Sequence, residues 1–186
     1  IAKRSQEIDV GFIEPYLFGR QLEGSADLFA TRSTRFSSYT QVTKGATFGL
    51  GYKLSEHFFQ SLHYTLKQDR VSKVDVRASN YIKQQAGSFI TSEIGQTLYY
   101  DRRDSRVDTT SGYILSLSNS YAGVGGNVKY LKHIIGGTVY ASPIEDVVVA
   151  LKGSYGVMDR AGKKIRIVDS FFFGADSFRG FQFGGL

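Results

Sequence analysis

From Val42 to Ser55 the chain alternates between two kinds of residue. Val42, Ala46, Phe48, Leu50, Tyr52 and Leu54 fall on one parity, broken only by Lys44; Thr43, Gly45, Thr47, Gly49, Gly51, Lys53 and Ser55 fall on the other. A helix would scatter both sets around its circumference, whereas a strand separates them onto two faces. The same period recurs. Ile8, Val10 and Phe12 oppose Glu7, Asp9 and Gly11. Leu22, Ala26, Leu28 and Ala30 oppose Glu23, Ser25, Asp27 and Thr31, with Phe29 as an exception. Phe58, Leu62, Tyr64 and Leu66 oppose Ser61, His63, Thr65 and Lys67. Ile90, Ile94, Leu98 and Tyr100 oppose Thr91, Glu93, Gly95, Thr97 and Asp101, and Tyr113, Leu115, Leu117 and Tyr121 oppose Gly112, Ser116, Ser118 and Ser120. Weaker versions cover Val128 to Ala141 and Val147 to Met158. The pattern predicts about eight strands of roughly ten residues, joined without helical crossovers and therefore antiparallel.

The expected connections form two sets. Pro15–Gln21, Ser55–His57, Arg102–Ser111 and Ser142–Asp146 make one, mostly short. Thr31–Tyr39, Gln68–Gly87 and the stretch after Met158 make the other, with Ala122–Asn127 as its short member. Short turns at one end and longer loops at the other are the asymmetry of an outer-membrane barrel. Tyr16, Tyr52, Tyr99, Tyr100, Tyr113 and Tyr140 fall near expected strand ends, where an interfacial aromatic girdle would need them; β-propensity alone also accounts for them.

Composition narrows the class. The chain has 14 Phe and 12 Tyr but no Trp, and 21 Gly against 2 Pro, which suits many strands with crowded or bent positions. Cysteine is absent, which removes disulfides, zinc–thiolate sites and thiol catalysis together. No stretch approaches the ~20 apolar residues of a spanning helix. That excludes a helical membrane protein and leaves a barrel open, since barrel strands are short and half polar. No leader precedes the first strand, so the start of a precursor is expected upstream of Ile1. The net charge of +6 is scattered among acidic residues, the one basic run being Gly162-Lys163-Lys164-Ile165-Arg166, which reads as a solvated loop. Nucleic acid is not expected as a partner. A soluble sandwich also alternates, but here the polar parity is rich in Gly, Ser, Thr and isolated charges over long strands. A wet lumen fits that better than a surface covered in Lys and Glu.

Candidate chemistry is sparse. Asp101, Arg102, Arg103, Asp104 and Arg106 read as a solvated turn with an internal ion pair. Glu7, Asp9, Glu23, Asp27 and Glu93 share a parity with Lys53 and Lys67 and read as a mixed-charge lining. His57, His63 and His133 lack metal-ligand spacing. No Gly-x-Ser-x-Gly occurs, and Gly123-Val124-Gly125-Gly126 lacks the Lys-Ser/Thr of a phosphate loop. No enzyme, metal or cofactor is expected.

The last segment adds a resemblance. Ser170-Phe171-Phe172-Phe173-Gly174-Ala175-Asp176-Ser177-Phe178-Arg179-Gly180-Phe181 resembles the signature of the BamA superfamily of outer-membrane insertases and translocators. In that family a Phe- and Gly-rich lead-in precedes a hydrophobic-Arg-Gly-Phe or -Tyr motif; Phe178 stands where valine or isoleucine is commoner. Phe12-Ile13-Glu14-Pro15-Tyr16-Leu17-Phe18-Gly19-Arg20 resembles a strand end and periplasmic turn of the family. Tyr100-Asp101-Arg102-Arg103-Asp104 through Asp108-Thr109-Thr110-Ser111-Gly112-Tyr113 resembles another, with Thr109 at a place where many relatives have proline.

The resemblance covers the whole chain and implies a fold: strands four to eleven of a sixteen-stranded transmembrane β-barrel over residues 1–158. Residues 159–186 would begin the long sixth extracellular loop, although alternation alone reads Ile165–Phe173 as a ninth strand. It implies that Arg179 docks on acidic residues of later strands while Phe178 and Phe181 pack against the inner wall and Gly180 permits a close approach. The implied role is assembly of outer-membrane barrels in a Gram-negative outer membrane, without covalent chemistry. Unfolded barrel proteins would be the substrates. Lipoproteins and periplasmic chaperones would be partners through periplasmic domains, and the lipid bilayer would be the surroundings. A seam between the first and last strands would offer an edge for templated pairing. A sister transporter for secretion or autotransporter assembly, a passive porin and an outer-membrane hydrolase are the alternatives.

Overall fold

The structure is a computed structural model that describes residues 5–35, 39–78, 80–84 and 86–160. In it, eight strands form one antiparallel sheet whose spatial order is the chain order. They are β1 (Ser5–Glu14), β2 (Leu22–Arg35), β3 (Tyr39–Lys53), β4 (Phe58–Ser72), β5 (Gly87–Asp101), β6 (Gly112–Gly126), β7 (Tyr130–Ile144) and β8 (Val147–Arg160). A single 3₁₀ turn, Leu17–Gly19, joins β1 to β2, and a four-residue helix α1, Asn80–Lys83, sits between β4 and β5. The sheet does not close on itself: β1 and β8 each have one partner among the described strands.

Register decides which residues share a face, because directly opposed residues project to the same side. One row reads Phe12, Ala26, Phe48, Tyr64, Ile94 and Tyr121 across β1 to β6. The next row along reads Gly11, Asp27, Thr47, Thr65, Glu93, Ala122 and Tyr130. Apolar rows therefore line one face of the sheet and polar rows the other. That is the expected alternation.

Nothing among the described residues covers the apolar face. Phe12 is 65% exposed, Leu28 61% and Phe48 54%, and Leu50 and Leu62 are exposed beside them. A sandwich would bring Phe48, Leu50 and Leu62 into a dry interior, and it is excluded here. Leaving such side chains in water forfeits about 1.5–3 kcal/mol each relative to burial. The face is built for an apolar medium outside the protein. The only packed cluster among the described residues is small: Ala122, Val128 and Tyr130, with Phe89 and Met158 against them, near one end of the polar face.

Three expectations need correction. The strands mostly run 14 or 15 residues, not ten, because pairing continues past the alternating segments. Thr31–Arg35, expected as loop, pairs with Tyr39–Thr43. Likewise Gln68–Val71, also expected as loop, pairs with Gly87–Ile90. Ladder hydrogen bonds do not require an apolar face, so hydrophobic period underestimates strand length. Second, connections 36–38 and 127–129 are as brief as 54–57 at the other end, while 73–86 and 102–111 are both long. Long and short connections thus occur at both ends. Third, Tyr99 and Tyr140 project to the polar face with Ser116 and Gly112, so only part of the expected girdle lies on the apolar face. There Phe58, Tyr100 and Tyr113 stand side by side, with ring centroids 4.6 and 6.0 Å apart.

Candidate functional site

The polar face is cross-linked by side chains from neighbouring strands. Thr47 and Thr65 hydroxyls lie 3.0 Å apart, and those of Thr97 and Ser118 2.9 Å apart. Near the end bearing α1, the Thr43 hydroxyl donates to Asp69 Oδ1 at 2.6 Å, and Lys67 Nζ lies 3.7 Å from Asp69 Oδ2. Midway along the wall, the Tyr130 hydroxyl donates to Glu93 Oε2, and His63 Nε2 lies 3.6 Å from Glu93 Oε1. Gly95 makes room for that imidazole, since a Cβ there would collide with the His63 ring. Apart from Lys67–Asp69, which lie on one strand, each contact joins residues far apart in sequence and so depends on register.

The opposite end carries two bound turns. In the β1–β2 turn, Glu14 Oε1 accepts the Tyr16 N–H at 3.0 Å, and the backbone turns through Phe18 and Gly19, both at positive φ. The β5–β6 turn is denser. Asp101 accepts two parallel bonds from Arg103, Nε to Oδ1 at 2.9 Å and Nη2 to Oδ2 at 2.8 Å, and Arg106 Nε lies 3.5 Å from Asp101 Oδ2. That fork-on-carboxylate geometry is the strong form of the contact. It raises the Arg103 pKa above its ordinary value, the Asp101 hydrogen bond being the main cause.

Asp104 organises the rest of that turn. Its Oδ1 accepts the N–H of Ser105 at 2.9 Å and of Thr110 at 3.1 Å, and its Oδ2 accepts the Thr110 hydroxyl. The Thr110 hydroxyl first, then the surrounding backbone amides, hold its carboxyl well below the usual carboxylate range. Gly112 closes the turn at φ +102°, where a Cβ would strike the Arg102 carbonyl oxygen. Only glycine meets both demands. The turn is a self-contained clamp. Among the described residues no three His, Asp or Glu side chains gather as a metal site.

Comparison with known proteins places this geometry. The model of the Omp85 superfamily domain matches residues 1–186, the whole chain. The chain belongs to the Omp85 superfamily. It is 24% identical over 166 residues to the outer membrane protein assembly factor BamA of Neorickettsia risticii (strain Illinois), covering 88% of this chain and 22% of that protein. A SAM50-like protein of Drosophila melanogaster is 25% identical over 198 residues, covering 98% of this chain and 43% of the relative. The chain thus spans less than half the length of either. The crystal structure of BamA from Haemophilus ducreyi lacking POTRA domains 1–3 superposes with a TM-score of 0.80 at 18% identity, over 97% of this chain and 38% of that one. The eight strands are therefore wall of an outer-membrane β-barrel, with apolar rows toward lipid and polar rows toward the lumen.

Within this Omp85 wall the residues singled out by sequence divide clearly. Glu14, Pro15 and Tyr16 share one turn, and Asp101, Arg103, Asp104 and Gly112 share another; both lie at the same end of the sheet. Register puts Glu7, Asp9, Glu23, Asp27, Lys53, Lys67 and Glu93 on the lumen face, as the alternation predicts. Phe178, Arg179, Gly180 and Phe181 lie outside the described residues, as does Ile165–Phe173; β8 runs to Arg160, two residues past the expected boundary at 158. Sequence reasoning missed Asp69 and Tyr130 as lumen residues. Asp69 falls in a stretch whose pattern reads as loop, and the partner of Tyr130, Glu93, lies 37 residues and two strands away.

Proposed function

We propose that this chain is the central barrel wall of an outer-membrane assembly factor that folds and inserts β-barrel proteins without covalent chemistry. The observation that carries the reading is the Omp85 match over the whole chain, joined to a curated relative that is itself an outer membrane protein assembly factor. The physics agrees. Inside a bilayer every backbone polar group needs a partner, so an incoming barrel gains from templated strand pairing. A seam elsewhere in the parent barrel would offer the template, while these strands hold the opposite wall rigid through the lumen bonds at Glu93 and Asp69.

In this reading the strands are the fourth to the eleventh of sixteen, in the outer membrane of a Gram-negative bacterium. Residues 159–186 start the sixth extracellular loop, and Arg179 pins it inside the lumen, flanked by Phe178 and Phe181, with Gly180 allowing close approach. Unfolded barrel proteins are the substrates, and lipoproteins and periplasmic chaperones engage through periplasmic domains. The turns at Glu14–Tyr16 and Asp101–Gly112 are the periplasmic ones.

The test is complementation of a strain depleted of the parent protein by a form carrying Arg179→Ala. The account expects normal amounts of the variant but defective folding of client barrels. Wild-type folding of clients would remove Arg179 from the mechanism. A steady open-pore conductance with no effect on clients would favour a porin.

A further inference from the structure

The lipid-facing wall carries a row of polar side chains that the assembly role does not use. Tyr52, Gln60, Gln96, Asn119 and His133 lie on five consecutive strands, β3 to β7, all on the apolar face. The Tyr52 hydroxyl donates to Gln60 Oε1 at 2.8 Å, and Gln60 Nε2 donates to Gln96 Oε1 at 3.1 Å. Gln96 stands directly opposite Asn119, and Asn119 opposite His133, whose Nδ1 lies 2.7 Å from Asn119 Oδ1. The row spends some of its hydrogen-bonding capacity on itself. Among the described residues the amide nitrogens of Gln96 and Asn119 and the Nε2 of His133 remain without partners.

Their depth matters. Along β5, Gln96 has Ile94 on one side and Leu98 on the other; along β6, Asn119 has Leu117 and Tyr121; along β7, His133 has Leu131 and Ile135. All three are therefore flanked by apolar side chains along their own strands. An amide donor aimed at hydrocarbon without an acceptor costs free energy. No Lys, Arg, Asp or Glu belongs to the row, so a charged lipid is a poor match. The occupant must bring neutral donors and acceptors at the same depth.

A second copy meets these demands. A two-fold axis along the membrane normal sets the patch against itself, so amide N–H groups of one wall face amide oxygens and imidazole nitrogen of the other. Gly137 and Gly153, paired on the same face two rows away, lower the profile beside the patch and let the walls approach. We propose that Gln96, Asn119 and His133 form a self-docking surface that joins two copies side by side in the bilayer.

The chain has no cysteine, so a single introduced thiol reports the contact. Leu117→Cys faces lipid beside Asn119, and Ser118→Cys, one residue on, faces the lumen. Each is placed in the intact protein, any cysteine outside this chain being replaced, and oxidised in outer-membrane vesicles at low protein-to-lipid ratio. Folding is confirmed by heat-modifiable mobility. Leu117→Cys should give a disulfide-linked dimer and Ser118→Cys none. Adding Gln96→Leu and Asn119→Leu, which only makes the wall more apolar, should cut the Leu117→Cys dimer by roughly fivefold, the effect of losing two membrane hydrogen bonds. No dimer from Leu117→Cys, a dimer unaffected by the leucines, or linkage to a different polypeptide would each overturn the proposal.

Discussion

The two faces of this wall are built on one backbone, yet they handle polar groups in opposite ways. On the lumen side, Glu93 is met by His63 from the adjoining β4 and by Tyr130 reaching across β6, and Asp69 by Thr43 and Lys67. On the lipid side three residues from Glu93, Gln96 belongs to a thin polar row between Ile94 and Leu98. Water can fill any gap in the first arrangement. Nothing in lipid can fill gaps in the second. The contrast locates structural specificity on the lumen face and leaves the lipid face dependent on its surroundings.

The most severe way to break that contrast is to place a charge on each face at similar depth. Leu62→Arg on the lipid face should cost about 2–4 kcal/mol, whereas Ser61→Arg, the adjacent residue on the lumen face, should stay within about 1 kcal/mol. Urea titration of the protein folded in vesicles reads both; equal costs would mean the faces are misassigned. Gly112→Ala comes next. It forces a Cβ against the Arg102 carbonyl at positive φ and should cost about 1–3 kcal/mol, while Gly125→Ala, in open space at a similar φ, should cost less. Glu93→Gln weakens the lumen network and should lose about 1 kcal/mol, an effect Tyr130→Phe should largely share in a double-mutant cycle.

The smallest effect concerns pH. The Asp104 carboxyl has a depressed folded-state pKa. Its contribution is therefore complete above the ordinary carboxylate pKa and is lost as pH falls through the lower folded value. The Thr110 amide resonance should hold its position through mild acid and shift only below that range. Movement at the ordinary carboxylate pH would show the turn is not organised by Asp104.

Much of this was legible in the residues. Period two gave the strands and their two faces because lipid and water impose opposite preferences on adjacent positions. Gly112 and the charged run Asp101–Arg106 announced a turn. Register was not legible, and register is what assembles the networks. The apolar parity skips Gln60 in one strand, Gln96 in the next and Asn119 in the third; each gap alone is ordinary. Only the pairing shows that the gaps line up into one polar row. Strand ends were hidden for a related reason, since pairing at Thr31–Arg35 and Gln68–Val71 extends beyond the segments that alternate.

The most direct test of the two-faced wall is a spin-label scan along β4, one cysteine at a time from Ser61 to Lys67, in the intact barrel in lipid vesicles. Labels at 62, 64 and 66 should collide with membrane-dissolved oxygen, and those at 61, 63, 65 and 67 with a water-soluble nickel chelate. Accessibility that fails to alternate, or a stretch in which all seven positions behave alike, would contradict the account.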